Sequence, residues 1–406
     1  MKLVFLSACG EMGGAERSLY DLLASLRAAR PRWELTLVVP RAGGLAERAV
    51  RLGVAVNVLE FPRTLARLGD SGASSRRRVG RVKLLIDAAA AAPGVALYLR
   101  RLRRTLRAVA PDVVHANGLK SQVLAVWART PAPVVWHVHD YVSGRPLMSR
   151  LIKSCAPRCA AAVVNSRSVG EDLRAVCGER LKTHTLYNAV DLETFSPSGA
   201  RLDLDSLSGL PPAEPGTVRV GLLATMARWK GHETFLKSLS ILPFDSPVRG
   251  YVIGGSIYQT RGSQLDAREL RECAARLGLE GRVGFTGFVE EPAAAIRALD
   301  VLVHASTEPE PFGLAIVEGM ACGRSVVASS AGGAAEILSG CDDAALSHAP
   351  GDADSLSIQI GRLARSAELR SRLGRAGRLV AEERFDRARL AEDLINVYRE
   401  VSHAAG

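Results

Sequence analysis

Apolar and polar positions along this chain follow two periods in turn. Short runs of strand length, KLVFLSA, ELTLVVP, AVNVLEF, DVVHANG, PVVWHVHDY and AAVVNS, are separated by stretches of helical period, the first from about Ala15 to Arg30. The runs are continuous in Val and Leu, the pattern of strands covered on both faces, and they predict a parallel β–α sheet. From Leu192 to Thr217 the pattern fails, and a stretch rich in Pro, Ser and Gly reads as a linker. Alternation resumes with VRVGLLAT, a helix after Lys230, RGYVIGG, a helix around Arg268 to Leu277, RVGFTGF, DVLVHAS, SVVAS and a last helix from about Arg387 to Ser402. The prediction is an α/β chain of two doubly wound parallel-sheet domains, 1–191 and 218–385, joined by the linker 192–217 and closed by a C-terminal helix, 386–406. Ligands of such sheets gather at the carboxyl ends of the strands.

With 406 residues, 47% of them hydrophobic, the chain has material for more than one core. Its seven cysteines are odd in number and contain no C-x-x-C pair, which argues against a disulfide framework and a zinc site and fits a reducing cytosol. The N-terminal apolar run is too short for a signal peptide, and no later run is long enough to span a membrane. The net charge of +11 changes the picture mainly through its location. Between Phe61 and Ala110 stand twelve Lys or Arg against Asp70 and Asp87. The part from Arg76 to Arg107 flanks an apolar middle with two arginine clusters, and it is expected to dock on an anionic membrane surface or an anionic lipid-linked acceptor. Nucleic acid is the alternative partner, but the segment has few interleaved aromatics and no recognition motif, so none is expected.

The stretch EPEPFGLAIVEGMACG carries the candidate chemistry. Pro311 precedes good helix formers, so the backbone N–H groups near Gly313 and Leu314 form an anion site. Glu310 and Glu318 bracket a helix start that rises roughly 12 Å over eight residues, a spacing suited to gripping two ends of an extended ligand. Carboxylates accept paired hydrogen bonds from vicinal hydroxyls such as those of sugars. Near the N-terminus, GEMGGAE puts Gly13 and Gly14 between a strand and a helix, where backbone can approach a phosphate or an acceptor. Asp203 and Asp205 spell D-L-D inside the linker, read there as chance and not as a metal site.

Glu310 to Glu318, E-P-F-G-L-A-I-V-E, resembles the E-x7-E signature of retaining glycosyltransferases of family 4. The resemblance runs over essentially the whole chain, through GGAERSL, PDVVHANG, a strand ending in His-Asp, NSRSV, LYNAVDLETF, WKGHETFL and GGAAEIL. It implies the GT-B fold, two Rossmann-like domains facing across a cleft, with a C-terminal helix that crosses back to the first. It implies transfer of a sugar from a nucleotide-diphosphate sugar to an acceptor hydroxyl, a sugar, a lipid-linked molecule or a small molecule, in cell-envelope glycolipid or polysaccharide synthesis at the cytoplasmic side of the membrane. No cofactor and no metal are implied.

By the same resemblance, Glu318 holds the ribose, Glu310 contacts the donor sugar, and the amides of Phe312, Gly313 and Leu314 meet sugar and diphosphate. Lys230 is the cation for the diphosphate. The family's arginine five residues earlier is Thr225 here, and Arg228 is its candidate substitute. His139 is the catalytic histidine near the anomeric carbon, with His137 on the same strand face as its rival. Gly14 belongs to the loop over the phosphates, Glu16 to the acceptor side, and Gly287, Phe288 and Val289 to the base, whose identity stays open. Gly332, Gly333 and Glu336 match a G-G-x-x-E stretch on the phosphate side. A related sugar-nucleotide epimerase or phosphorylase is the alternative enzyme.

Overall fold

The computed structural model describes residues 1–62, 81–255 and 265–403, with backbone alone for 81–91. Residues 76–80 of the segment expected at a membrane therefore lie outside the described residues. The chain divides into two compact units. The first holds the described residues up to Asn188 together with those from Arg387 onward, and the second those from Ala189 to Asp386.

The first unit is built on a seven-stranded sheet of order β3-β2-β1-β4-β5-β6-β7. Its strands are β1 (Lys2–Ser7), β2 (Glu34–Val39), β3 (Ala55–Val58), β4 (Val113–Asn117), β5 (Val134–Val138), β6 (Ala161–Val164) and β7 (Thr183–Thr185), all paired in parallel. Every residue of β4, β5 and β6 is buried, which is why these runs read as mostly apolar stretches without alternation. Strand order reverses between β1 and β4, the switch point where a doubly wound sheet opens a crevice for a ligand. The register there sets Ser7 beside Asn117 and Asn117 beside His137. The C-terminal helix Leu390–His403 packs on the helix Gly14–Ala29, and Ser25 Oγ accepts from the Ala391 amide at 3.0 Å.

The second unit carries a six-stranded parallel sheet of order β10-β9-β8-β11-β12-β13. Its strands are β8 (Val218–Leu223), β9 (Val248–Ile253), β10 (Val283–Gly287), β11 (Val301–His304), β12 (Ser325–Ser329) and β13 (Leu346–His348), with the switch point between β8 and β11. No helix among the described residues is long and apolar enough to cross a membrane.

The stretch 192–217, expected as a linker, is packed into the second unit. Asp203 caps the helix Leu204–Ser208 by accepting from the Ser206 amide at 3.0 Å. Asp205, buried, accepts from Arg249 at 2.7 Å, Arg219 at 3.1 Å and Tyr251 at 2.6 Å. A D-L-D sequence thus serves one cap and one ion-pair hub that ties the stretch to β8 and β9. A Pro- and Gly-rich composition signals the absence of long periodicity, and such a segment can still be anchored by single buried polar groups.

Candidate active site

In the second unit the chemistry collects where β8 and β11 end. After β8 comes the single 3₁₀ turn Arg228–Lys230, and after it Gly231 with φ of 74°. A Cβ on Gly231 would lie 1.8 Å from the Ala305 carbonyl oxygen, so only glycine lets this turn press against the end of β11. The Thr307 amide donates to the Trp229 carbonyl at 2.8 Å and locks that approach. Lys230 is thereby delivered to Glu310, eighty residues on. Its Nζ donates to Oε1 at 2.9 Å and to Oε2 at 2.8 Å, and it lies 3.9 Å from the centre of the Trp229 ring.

Glu310 sits in a loop pinned to a neighbouring one. The Gly333 amide donates to its carbonyl at 2.7 Å, and its own amide donates to the Ala331 carbonyl at 3.3 Å. A Cβ on Gly333 would lie 2.3 Å from the Pro311 carbonyl oxygen, and Gly332 has a φ of 64°, which together explain the paired glycines at 332–333. Two further side chains reach Oε2 of Glu310: Ser306 Oγ at 2.7 Å and His304 Nε2 at 3.1 Å. Burial alone would raise the Glu310 carboxyl, but the charge of Lys230 and the bonds from His304 and Lys230 outweigh it and hold the group well below the usual carboxylate range.

The helix Leu314–Ala321 starts directly after this loop, and no side chain caps its first turn at Gly313. Its leading amides therefore suit an anion. Phe312 is buried and meets Phe385 edge-on at 6.0 Å, so its main chain is what it offers a ligand. Glu318 is buried within the same helix. Val289, half-buried, follows β10, where the Gly287 carbonyl accepts from the Gly254 amide at 2.9 Å. Arg228 is placed differently from Lys230: its guanidinium pairs with Glu269 at 3.1 Å, with both side chains half exposed.

In the first unit a second group forms at the ends of β1, β4 and β5. His139, just past β5, faces the Asn117 amide, with Nε2 at 2.7 Å from Oδ1. Asn117 Nδ2 donates to the Ala15 carbonyl at 3.3 Å, so Oδ1 is the acceptor and the network assigns the His139 proton to Nε2. Nδ1 is then a buried acceptor with no hydrogen-bond partner. Burial pushes the His139 imidazole down to about 4, so near neutral pH it offers a lone pair and no positive charge. His137 points inward: its Nδ1 is 3.2 Å from His115 Nε2, and His115 Nδ1 is 2.8 Å from the Tyr398 hydroxyl on the C-terminal helix. Its ring lies 4.0 Å from that of His139, which it supports from inside.

Glu16 lies in the first turn of the helix Gly14–Ala29, where a Cβ on Gly14 would meet nothing. Its carboxyl is raised to about 7, by burial first and by the charge of Asp140, against the pull of the Glu16 and Gly13 amides. Its Oε2 is buried without a hydrogen-bond partner. Glu16 Oε2 and His139 Nδ1, two of the partnerless buried acceptors of this unit, suit a ligand rich in hydroxyl donors.

Sequence reasoning missed His304, Ser306, Asn117, His115 and Tyr398. The available signal was positional: His304 and Ser306 alternate at the end of an apolar strand just ahead of Glu310, and Asn117 ends β4 in the same row as the β5 histidines.

Comparison with known proteins adds the following. The family described as glycosyl transferases group 1 matches residues 214–380, and glycosyltransferase family 4 matches residues 12–194. A D-inositol 3-phosphate glycosyltransferase of Xylanimonas cellulosilytica is 32% identical over 251 residues, which are 60% of this chain and 57% of that protein. Spore coat protein SA of Bacillus subtilis is 26% identical over 71% of this chain and 78% of its own length. The solved structure of Anabaena HepE with UDP-glucose aligns over 98% of this chain and 100% of its own, with a TM-score of 0.78 and 23% identity. At that identity the likeness speaks for the fold.

Proposed function

Because this chain belongs to glycosyltransferase family 4 and has the GT-B fold, we propose that it transfers a sugar from a nucleotide-diphosphate sugar to an acceptor hydroxyl with retention of anomeric configuration. The observation that carries the reading is the Lys230–Glu310 pair beside the uncapped start of the helix Leu314–Ala321. A cation and free amides serve a diphosphate, and a fixed carboxylate serves sugar hydroxyls.

In the proposed reaction the amides of Phe312, Gly313 and Leu314 and the Lys230 ammonium take up the charge that develops on the diphosphate as its bond to the sugar breaks. Glu318 holds the ribose, the main chain at Val289 meets the base, and Glu310 and His139 orient the sugar. The acceptor oxygen bonds to the anomeric carbon on the face the diphosphate leaves, and a phosphate oxygen takes the acceptor proton, so no protein base is required. Gly14 closes over the donor phosphates, and Glu16 faces the acceptor. Arg228 assists only if it exchanges Glu269 for a phosphate. The charges supplied by the chain make the proposed reaction independent of metal. An anionic lipid-linked acceptor of the cell envelope suits the exposed Arg100, Arg101, Arg104 and Arg107 of the first unit.

A donor panel of UDP-glucose, GDP-mannose and ADP-glucose tests the reading, first by thermal shift and then by turnover with acceptor pools analysed by mass spectrometry. One donor should raise the melting temperature and transfer its sugar with retained configuration, in EDTA as well as without it. An inverted product, or loss of activity in EDTA that Mg²⁺ restores, overturns the mechanism. Release of nucleotide with no acceptor consumed points to the epimerase alternative.

A further inference from the structure

The Glu310 carboxylate is held from two directions of different character. Lys230 approaches on a long side chain that is one-fifth exposed, from the turn after β8. Ser306 and His304 approach on short side chains that are almost wholly buried, from the end of β11. An ionised carboxylate only accepts, so the Ser306 hydroxyl donates to Oε2 at 2.7 Å, and the His304 Nε2–H, 3.1 Å from both Oε2 and Ser306 Oγ, is shared between them. Their backbone is fixed in turn. Ser329, on β12, donates to the Ser306 carbonyl at 2.7 Å, and His348 Nε2, on β13, lies 3.1 Å from the His304 carbonyl, with Nδ1 2.8 Å from the Ala349 carbonyl. Three adjacent strand ends therefore hold Oε2, whereas Lys230 is the holder that has somewhere else to go.

Lys230 cannot give its full charge to Glu310 and to a diphosphate at once, and the diphosphate of a nucleotide sugar carries two negative charges against the one of a carboxylate. We infer that Lys230 is handed from Glu310 to the phosphates when donor binds, and that Ser306 and His304 are the positioning residues that keep the Glu310 carboxylate in place for the donor sugar after the lysine has left. This rests on the proposed transfer and adds to it an order of events: the diphosphate frees the carboxylate, and only then does the carboxylate meet the sugar. It also separates the two halves of the donor energetically. Binding of a nucleoside diphosphate alone needs the lysine and not the Ser306–His304 pair.

The test compares wild type with Ser306→Ala, His304→Leu and His304→Gln, the last of which keeps an N–H near the Nε2 position. For whichever of the three donors turns over, kcat is measured per site that binds the matching nucleoside diphosphate, with the affinity for that diphosphate taken by calorimetry. Ser306→Ala and His304→Leu should lower kcat about tenfold or more, the loss of one hydrogen bond to a charged group. Diphosphate affinity should stay within about twofold, and His304→Gln should keep most of the activity. Wild-type kcat per binding site in both loss variants removes the inference and leaves the transferase reading standing. So does a loss confined to stability and diphosphate affinity. Wild type that turns over none of the donors removes both.

Discussion

Replacing Glu16 by glutamine isolates the cost of a buried carboxylate at the start of the first long helix. The carboxyl is raised from 4.5 to about 7, chiefly because burial penalises its charged form. A change of that size corresponds to about 3 kcal/mol between the two protonation states. The folded chain holds this proton more tightly than the unfolded chain, so its stability is greatest below the ordinary carboxylate pKa and declines as pH rises from 4.5 to about 7. Glutamine has the same shape and no charge to bury. The two proteins should therefore be about equally stable near pH 4.5, with Glu16→Gln gaining up to about 3 kcal/mol above pH 7, or roughly 5–10 °C in melting temperature. Parallel thermal melts from about pH 5 to about pH 8 measure the difference directly. A difference that is constant with pH, or that grows toward acid, would refute the assignment of a destabilising buried carboxyl. Such a cost is the kind a fold retains where an unpaired acceptor is needed by a ligand.

Three further outcomes follow from the same geometry. Lys230→Ala strips the buried Glu310 of its cation and should lower the stability of the second unit by about 3 kcal/mol in urea melts, most of it recovered by adding Glu310→Gln; simple additivity would mean the pair is not coupled. His139→Ala should cut turnover with little change in stability, while His137→Ala, which breaks the buried contact with His115, should cost about 2 kcal/mol and less activity; the reverse order would exchange their roles. Serine at Arg100, Arg101 and Arg104 should release the chain from anionic vesicles in flotation by about a hundredfold, at about 1 kcal/mol per arginine, and equal binding to neutral vesicles would end the docking idea. Arg103 is left in place there because it donates to the Ala128 and Trp127 carbonyls, both at 2.9 Å, and so belongs to the fold.

The strands were legible because burial on both faces selects short, Val-rich and mostly apolar runs, and β4, β5 and β12 are buried at every position. The glycines of WKG and GG were visible in the sequence, although the reason for Gly231 and Gly333, a backbone oxygen that leaves no room for a Cβ, is a property of the folded chain alone. Pairings across long sequence distances were not legible. Asp205 looks idle until Arg219, Arg249 and Tyr251 close on it, and His115 is one strand residue among many until Tyr398 arrives from the C-terminal helix. The partner of Arg228 was not legible either: the sequence offered it as the substitute for the family's arginine, and its side chain pairs with Glu269.

Nucleoside diphosphate release measures whether Lys230 and Glu310 form the charged heart of a nucleotide-sugar transfer site. Wild type and Lys230→Ala are each incubated with UDP-glucose, GDP-mannose and ADP-glucose in the presence of an acceptor pool, and release is followed at saturating donor. Wild type should release diphosphate steadily from at least one donor, and kcat should fall about a hundredfold or more in the variant, the scale of removing a group that stabilises charge in the transition state. No release from any donor by wild type, or an unchanged kcat in Lys230→Ala, would contradict that assignment.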